Sequence, residues 1–92
     1  MSRIALVTGA SKGVGRGIAL GLAEDGWDVA VNYNRDEAGA RETAAEIEAR
    51  GRRAWVLQAD VGFSGQVGAM SDRLLAVAGG LDLLVNNAGV QT

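Results

Sequence analysis

The stretch Thr8-Gly9-Ala10-Ser11-Lys12-Gly13-Val14-Gly15 decides how this chain is read. Ile4-Ala5-Leu6-Val7 runs straight into it and has the uninterrupted, partly β-branched character of a buried strand. Behind it, Val14, Ile18 and Leu22 recur at every fourth position up to about Asp25, which is one face of a helix. Glycines between a strand and a helix have a specific use. Gly9 lets the chain leave the strand in a tight turn. Gly13 lets the backbone approach a phosphate oxygen where a Cβ would intrude, and Gly15 lets the helix pack close to the sheet. Unpaired N–H groups at the helix start, aided by the helix dipole, then face an anion. The expectation is a cradle for the diphosphate of a dinucleotide.

Two standard patterns do not fit this loop. A GxxxxGK loop followed by Ser or Thr needs glycine at position 14, which is Val14. GxGxxG needs glycine at position 18, which is Ile18. What stands here is T-G-x-x-x-G-x-G, and its placement between strand and helix argues against a merely flexible loop.

Gly26 is placed to end the first helix in a left-handed conformation. Val29-Ala30-Val31, entered through Trp27-Asp28, reads as a second strand. Residues 36–50, rich in Ala, Glu and Arg, read as a second helix stopped by Gly51. Ala54-Trp55-Val56-Leu57 is a third strand. Ser64 is the expected N-cap of a third helix that buries Val67, Met70, Leu74 and Val77 and breaks at Gly79-Gly80. Leu81 to Val85 is a fourth strand. The order β-α-β-α-β-α-β with continuous apolar strands implies an α/β, Rossmann-like, doubly wound parallel sheet.

Composition narrows the function classes. The 92 residues allow one small domain, and 48% apolar with 22% charged residues is an ordinary globular balance. The net charge of −2 and the scattered cations argue against nucleic acid as the main partner. There is no cysteine and no histidine, so a disulfide framework, a Cys/His zinc site and histidine acid–base chemistry are excluded, and no metal ligand is assigned. No apolar run is long enough to cross a bilayer, and the first residues carry no signal-peptide pattern. A cytoplasmic protein without a membrane partner is expected.

Three segments together resemble a known family. Thr8–Gly15 looks like the cofactor loop of the short-chain dehydrogenases/reductases. Asn86-Asn87-Ala88-Gly89 after the fourth strand looks like that family's second motif, and Asp60-Val61 after the third strand resembles its adenine-contacting pair. Order and spacing also match, over nearly the whole chain. Within the family the wording is most similar to the 3-oxoacyl-[acyl-carrier-protein] reductases and similar NADP-dependent reductases. The resemblance implies that Gly9, Ser11, Lys12, Gly13, Val14 and Gly15 hold a nicotinamide dinucleotide. It further implies that the Asp60 carboxylate accepts from the adenine amino group with support from the Val61 backbone. One asparagine of the 86–87 pair would tie neighbouring strands, while Asn87, Ala88 and Gly89 line the riboses. On residues alone, Asp60 reads as a turn or helix cap and Asn-Asn-Ala-Gly as a turn.

The end of the second strand bears on which dinucleotide is held. An acidic residue there would accept from ribose hydroxyls and repel a 2′-phosphate. Asn32-Tyr33-Asn34 carries no charge; Arg35 follows, and Lys12 lies in the loop. Two cations near the ribose suit a 2′-phosphate, with Asn34 beside them. Asp36 weighs the other way, and solvated surface charges are the plain alternative. NADP is the expected cofactor, with NAD the alternative.

The resemblance also says what to look for in catalysis: a tyrosine general acid/base with a lysine four residues on, a serine and a later asparagine. Tyr33 is the only tyrosine, and Glu37 stands four residues after it. No catalytic residue is assigned. Residues 1–92 are expected to be the N-terminal, incomplete dinucleotide-binding part of a reductase, inactive by itself. The alternatives are a stand-alone nucleotide-binding module and a self-associating piece. The fourth strand, with Leu81, Leu83, Leu84 and Val85, would leave an edge through which the chain forms a homo-oligomer.

Overall fold

The computed structural model describes residues 3–62 and 66–87. Seven elements follow in order: β1 (Arg3–Val7), α1 (Gly13–Glu24), β2 (Trp27–Tyr33), α2 (Glu37–Ala49), β3 (Ala54–Gln58), α3 (Gln66–Ala78) and β4 (Leu83–Val85). The strands form one parallel sheet in the order β3-β2-β1-β4. This is the Rossmann-like arrangement expected from the alternation of strands and helices.

The two central strands, β1 and β2, are buried on both faces because their side chains alternate between two cores, whereas β3 is half-buried and β4 largely exposed. Val7, Val29 and Val31 meet Ala19 and Ala23 of α1 and Ala40 and Ile47 of α2 on one side. Ile4, Leu6 and Ala30 meet Met70 and Leu74 of α3 on the other. Leu6, Met70 and Leu74 are fully buried, and each contributes about 2 kcal/mol by leaving water. Gly26, Gly51 and Gly79 follow the three helices with φ of 94°, 81° and 84°. Asp36 caps α2, its carboxylate accepting from Gly39 N–H at 3.0 Å. The expected cap Ser64 lies outside the described residues.

Three helix and strand details differ from the sequence expectation. The fully buried face of α1 is Gly15, Ala19 and Ala23, one position on from the Val14-Ile18-Leu22 stripe. Ile18 and Leu22 flank the core, and Val14 is 68% exposed. The helix starts against the loop after β1, where a Cβ on Gly15 would lie 2.2 Å from Gly9 O, and the small Ala19 and Ala23 continue its buried face while the larger side chains lie at the margins. On α3, Val77 is 63% exposed, and Ala78 takes the core-facing place after Met70 and Leu74. The fourth strand begins at Leu83, not Leu81. Asp82 occupies the start of the pairing instead: its carboxylate accepts from Ile4 N–H at 2.9 Å and its N–H donates to Ile4 O at 2.8 Å. Leu81 turns into the core beneath α3.

At the amino-terminal edge of the sheet, buried Asp28 accepts from the backbone N–H of Arg53 at 2.9 Å and pairs with the guanidinium groups of Arg52 and Arg53, each at 3.1 Å. Burial works to raise the Asp28 pKa. The Arg53 backbone and side-chain bonds and the Arg52 guanidinium outweigh it and hold the carboxyl below its ordinary value.

Candidate functional site

Ligands of a doubly wound sheet sit at the carboxyl ends of its strands, and there the chain has a cavity of about 440 Å³. Gly9, Ser11 and Lys12 wall it from the loop after β1. Asn32, Tyr33, Asn34, Arg35 and Asp36 come from the end of β2, and Ala59, Asp60, Val61 and Gly62 from the end of β3.

The glycine-rich loop is held by bonds from several elements. Gly9 has a φ of 62° and Gly13 of 63°, the left-handed region that only glycine occupies without cost. Gly9 N–H donates to Asn32 Oδ1 at 3.0 Å, and Gly9 O accepts from Asn87 Nδ2 at 3.3 Å. Ala10 N–H donates to Asn32 O at 2.9 Å, and Ala10 O accepts from Thr43 Oγ1 at 2.9 Å. A Cβ on Gly15 would lie 2.2 Å from Gly9 O, so helix and loop touch there backbone to backbone. Nothing lies within 4 Å of a Cβ placed on Gly13. Glycine is needed there for its backbone angle, and the space beyond it is open to an approaching group. No described side chain caps α1, and its first turn carries no acidic residue. Its N-cap, Lys12, lines the cavity. Val14 is exposed on the first turn and is not among the cavity-lining residues.

The charges sort in a telling way. Arg3, Arg16, Arg41, Arg50, Arg52 and Arg53 each pair with a carboxylate, and Arg73 donates to Gln58 O at 2.7 Å. Lys12 and Arg35 have no carboxylate partner among the described residues, and both line the cavity. Its two acids are partly occupied. Asp36 caps α2, and Asp60 Oδ1 accepts from Gly62 N–H at 2.9 Å while its own N–H donates to Gln66 Oε1 at 2.6 Å. Asp60 thus makes the local turn expected of it on residues alone and still borders the cavity. Val61 lines the cavity and also packs against the α3-side core. Tyr33 lines the cavity and packs against the α1–α2 core.

After β4, Asn86 Oδ1 accepts from Thr8 Oγ1 at 3.3 Å, tying β1 to β4. Asn87 is buried, with its amide on the Gly9 carbonyl. Ala88 and Gly89 lie outside the described residues. From residues alone Asn32 reads only as an uncharged strand end. It is fully buried, and its Nδ2 reaches the carbonyls of Tyr33, Leu57 and Ala59 at 3.2–3.3 Å. One carboxamide therefore joins β2, the end of β3 and the loop after β1. The signal was available: Asn32 continues the Asp28-Ala30 phase of a buried strand, where a polar side chain needs partners.

Among the described residues no cluster of His, Cys, Asp or Glu could hold a metal ion, and no helix is long and apolar enough to cross a membrane. Around the cavity, among the described residues, stand a helix start with no side-chain cap, two cations with no carboxylate partner and a close-packed glycine turn, an arrangement that favours an anionic group.

Known proteins match the chain in sequence and in fold. The family model for short chain dehydrogenase matches residues 3–92. The chain is 48% identical over 90 residues to the 3-oxoacyl-[acyl-carrier-protein] reductase FabG of Staphylococcus aureus, covering 98% of this chain and 37% of that protein. It is 37% identical over 92 residues to the uncharacterized oxidoreductase YohF of Escherichia coli. Among solved structures it resembles acetoin dehydrogenase from Enterobacter cloacae, with a TM-score of 0.91 and 44% identity over 100% of this chain and 36% of that one. A putative short-chain alcohol dehydrogenase from Sinorhizobium meliloti follows with a TM-score of 0.86 and 48% identity, over 95% of this chain and 34% of that one. The chain thus spans little more than a third of the length of the relatives it matches. With the match running over nearly all of it and the fold in agreement, the chain belongs to the short-chain dehydrogenase family of oxidoreductases.

Proposed function

We propose that residues 1–92 are the N-terminal dinucleotide-binding part of a reductase that moves a hydride between NADP(H) and a carbonyl or alcohol substrate. The observation that carries the NADP reading is the pair Lys12 and Arg35. They are the cations without a carboxylate or carbonyl partner among the described residues, and both border the cavity. The end of β2 beside them, Asn32-Tyr33-Asn34, offers no acid to repel a 2′-phosphate. The diphosphate would lie over Gly9–Gly15 at the start of α1, and the adenosine between Arg35 and Asp60-Val61. Asn87, Ala88 and Gly89 would border the riboses, with the Asn87 amide acting through the Gly9 carbonyl it already holds. The cofactor supplies the hydride; the chain's own part is to bind and orient it.

The 92 residues contain no tyrosine followed four residues later by lysine. We therefore assign the proton-handling groups to the remainder of a longer protein and expect this stretch alone to lack reductase activity. Titration of the whole protein with NADPH and NADH tests the cofactor reading, with NADPH expected to bind at least about tenfold tighter. Equal affinity would refute it. Carbonyl-dependent oxidation of NADPH by the whole protein, absent from residues 1–92 alone, tests the division of labour.

A second reading has its own support. Leu83 and Leu84 are exposed on β4, the outermost strand on its side of the described sheet, and Leu75 and Val77 are exposed on α3. Residues 1–92 expressed alone would then self-associate through β4. Sedimentation showing a folded monomer would count against this reading.

A further inference from the structure

We propose that α2 is the strut that sets the glycine-rich loop, with Thr43 as its latch and a positioning residue for the cavity. This rests on the dinucleotide reading above. Thr43 is fully buried, and its hydroxyl lies 2.9 Å from Ala10 O and 3.0 Å from Gly39 O. A helical threonine ordinarily donates its single hydroxyl proton back to the carbonyl four residues earlier. Here a second acceptor 33 residues away competes for it, and Ala10 lies beyond the end of the β1 ladder. Four residues nearer the helix start, a Cβ on Gly39 would stand 2.6 Å from Ser11 O and 2.3 Å from Asp36 Oδ2. The first two turns of α2 therefore seat on two consecutive peptide units of the loop.

The consequence lies in what flanks that seat. Lys12 follows Ser11 directly, and Arg35 immediately precedes Asp36, the cap of α2. The contact of α2 with the loop thus sets the spacing of the backbone positions that carry Lys12 and Arg35, the two cavity cations with no carboxylate partner among the described residues. A residue that only filled space would lower affinity for NADP and NAD alike. A strut that spaces the two cations lowers affinity for NADP more, because only the 2′-phosphate engages both.

The test uses the whole protein as wild type, Thr43→Val, Thr43→Ser and Gly39→Ala. Thr43→Val keeps the shape and removes the donor; Thr43→Ser keeps the donor. Affinities for NADP and NAD are measured by titration, and amide hydrogen exchange is followed at residues 10–13. Thr43→Val is expected to weaken NADP roughly tenfold and NAD no more than about threefold, with faster exchange in the loop. Thr43→Ser is expected to stay within about twofold of wild type, and Gly39→Ala to shift in the same direction as Thr43→Val. An unchanged NADP to NAD ratio in Thr43→Val, or unchanged exchange in the loop, overturns the strut. Wild type that binds NAD as tightly as NADP refutes the cofactor reading instead. The exchange rates then decide the strut by themselves: faster in Thr43→Val supports it, unchanged overturns it.

Discussion

A β-carbon on Gly15 would stand 2.2 Å from the carbonyl oxygen of Gly9. The start of α1 and the turn after β1 meet there backbone to backbone, and Asn87 Nδ2 closes the same spot at 2.6 Å.

Gly15→Ala is therefore expected to cost about 2–3 kcal/mol of stability, because backbone rather than a flexible side chain must move. Gly17→Ala, two residues along the same helix, meets nothing within 4 Å. It should instead stabilise the fold by about 0.5–1 kcal/mol through helix propensity. Urea denaturation of the two variants beside wild type checks the sign of both.

Asn32 carries the densest set of bonds at the carboxyl edge of the sheet. Asn32→Ala strands the Gly9 N–H and weakens the hold on the carbonyls around it. The expected loss is roughly 2–4 kcal/mol. Faster amide exchange at Gly9 and along β3 should accompany the lower melting temperature, since the one side chain serves both places.

Arg35 and Lys12 are exposed, so removing either should leave stability nearly untouched. Arg35→Ala is expected to weaken NADP roughly five- to tenfold with little change for NAD. Arg35→Asp should turn the preference toward NAD, since a carboxylate there repels the 2′-phosphate. Raising the salt concentration should narrow the wild-type preference. Titration with both dinucleotides at two ionic strengths measures all three effects.

Asp28 makes stability depend on acid. Its pKa in the folded chain lies below the unfolded value of about 3.9. Its contribution is fully present above that value and is lost as the pH falls through the lower, folded one. Asp28→Ala, which leaves two arginines without their shared carboxylate, should cost about 1–3 kcal/mol at neutral pH. The difference between variant and wild type should shrink below pH ~3.9. Thermal melts across that range test this.

The strand runs and the glycine breaks, set by neighbours along the chain, were legible from residues alone. Ile4–Val7 and Val29–Val31 read as buried strands because unbroken apolar runs have few other uses. Gly9 reads as a turn residue, and its φ of 62° is one few other residues adopt; Gly13 reads as a point of close approach, and only the structure adds that its φ of 63° also calls for glycine. Gly26 and Gly51 marked helix ends for the same reason. From these the parallel β-α order followed, and so did the position of the loop at the sheet edge. The tertiary structure alone decided which face of α1 is buried. The periodicity of Val14, Ile18 and Leu22 reported hydrophobicity, whereas the close approach of the helix selected Gly15, Ala19 and Ala23 by size. It likewise decided that the amide of Asn87 would be spent on Gly9 O, that Asn32 would join three segments, and that Thr43 would reach Ala10. Each of these bonds needs a particular distant backbone group within about 3 Å of the side chain. No spacing in the sequence encodes that distance; it exists only once the sheet has brought β1, β2 and β4 together.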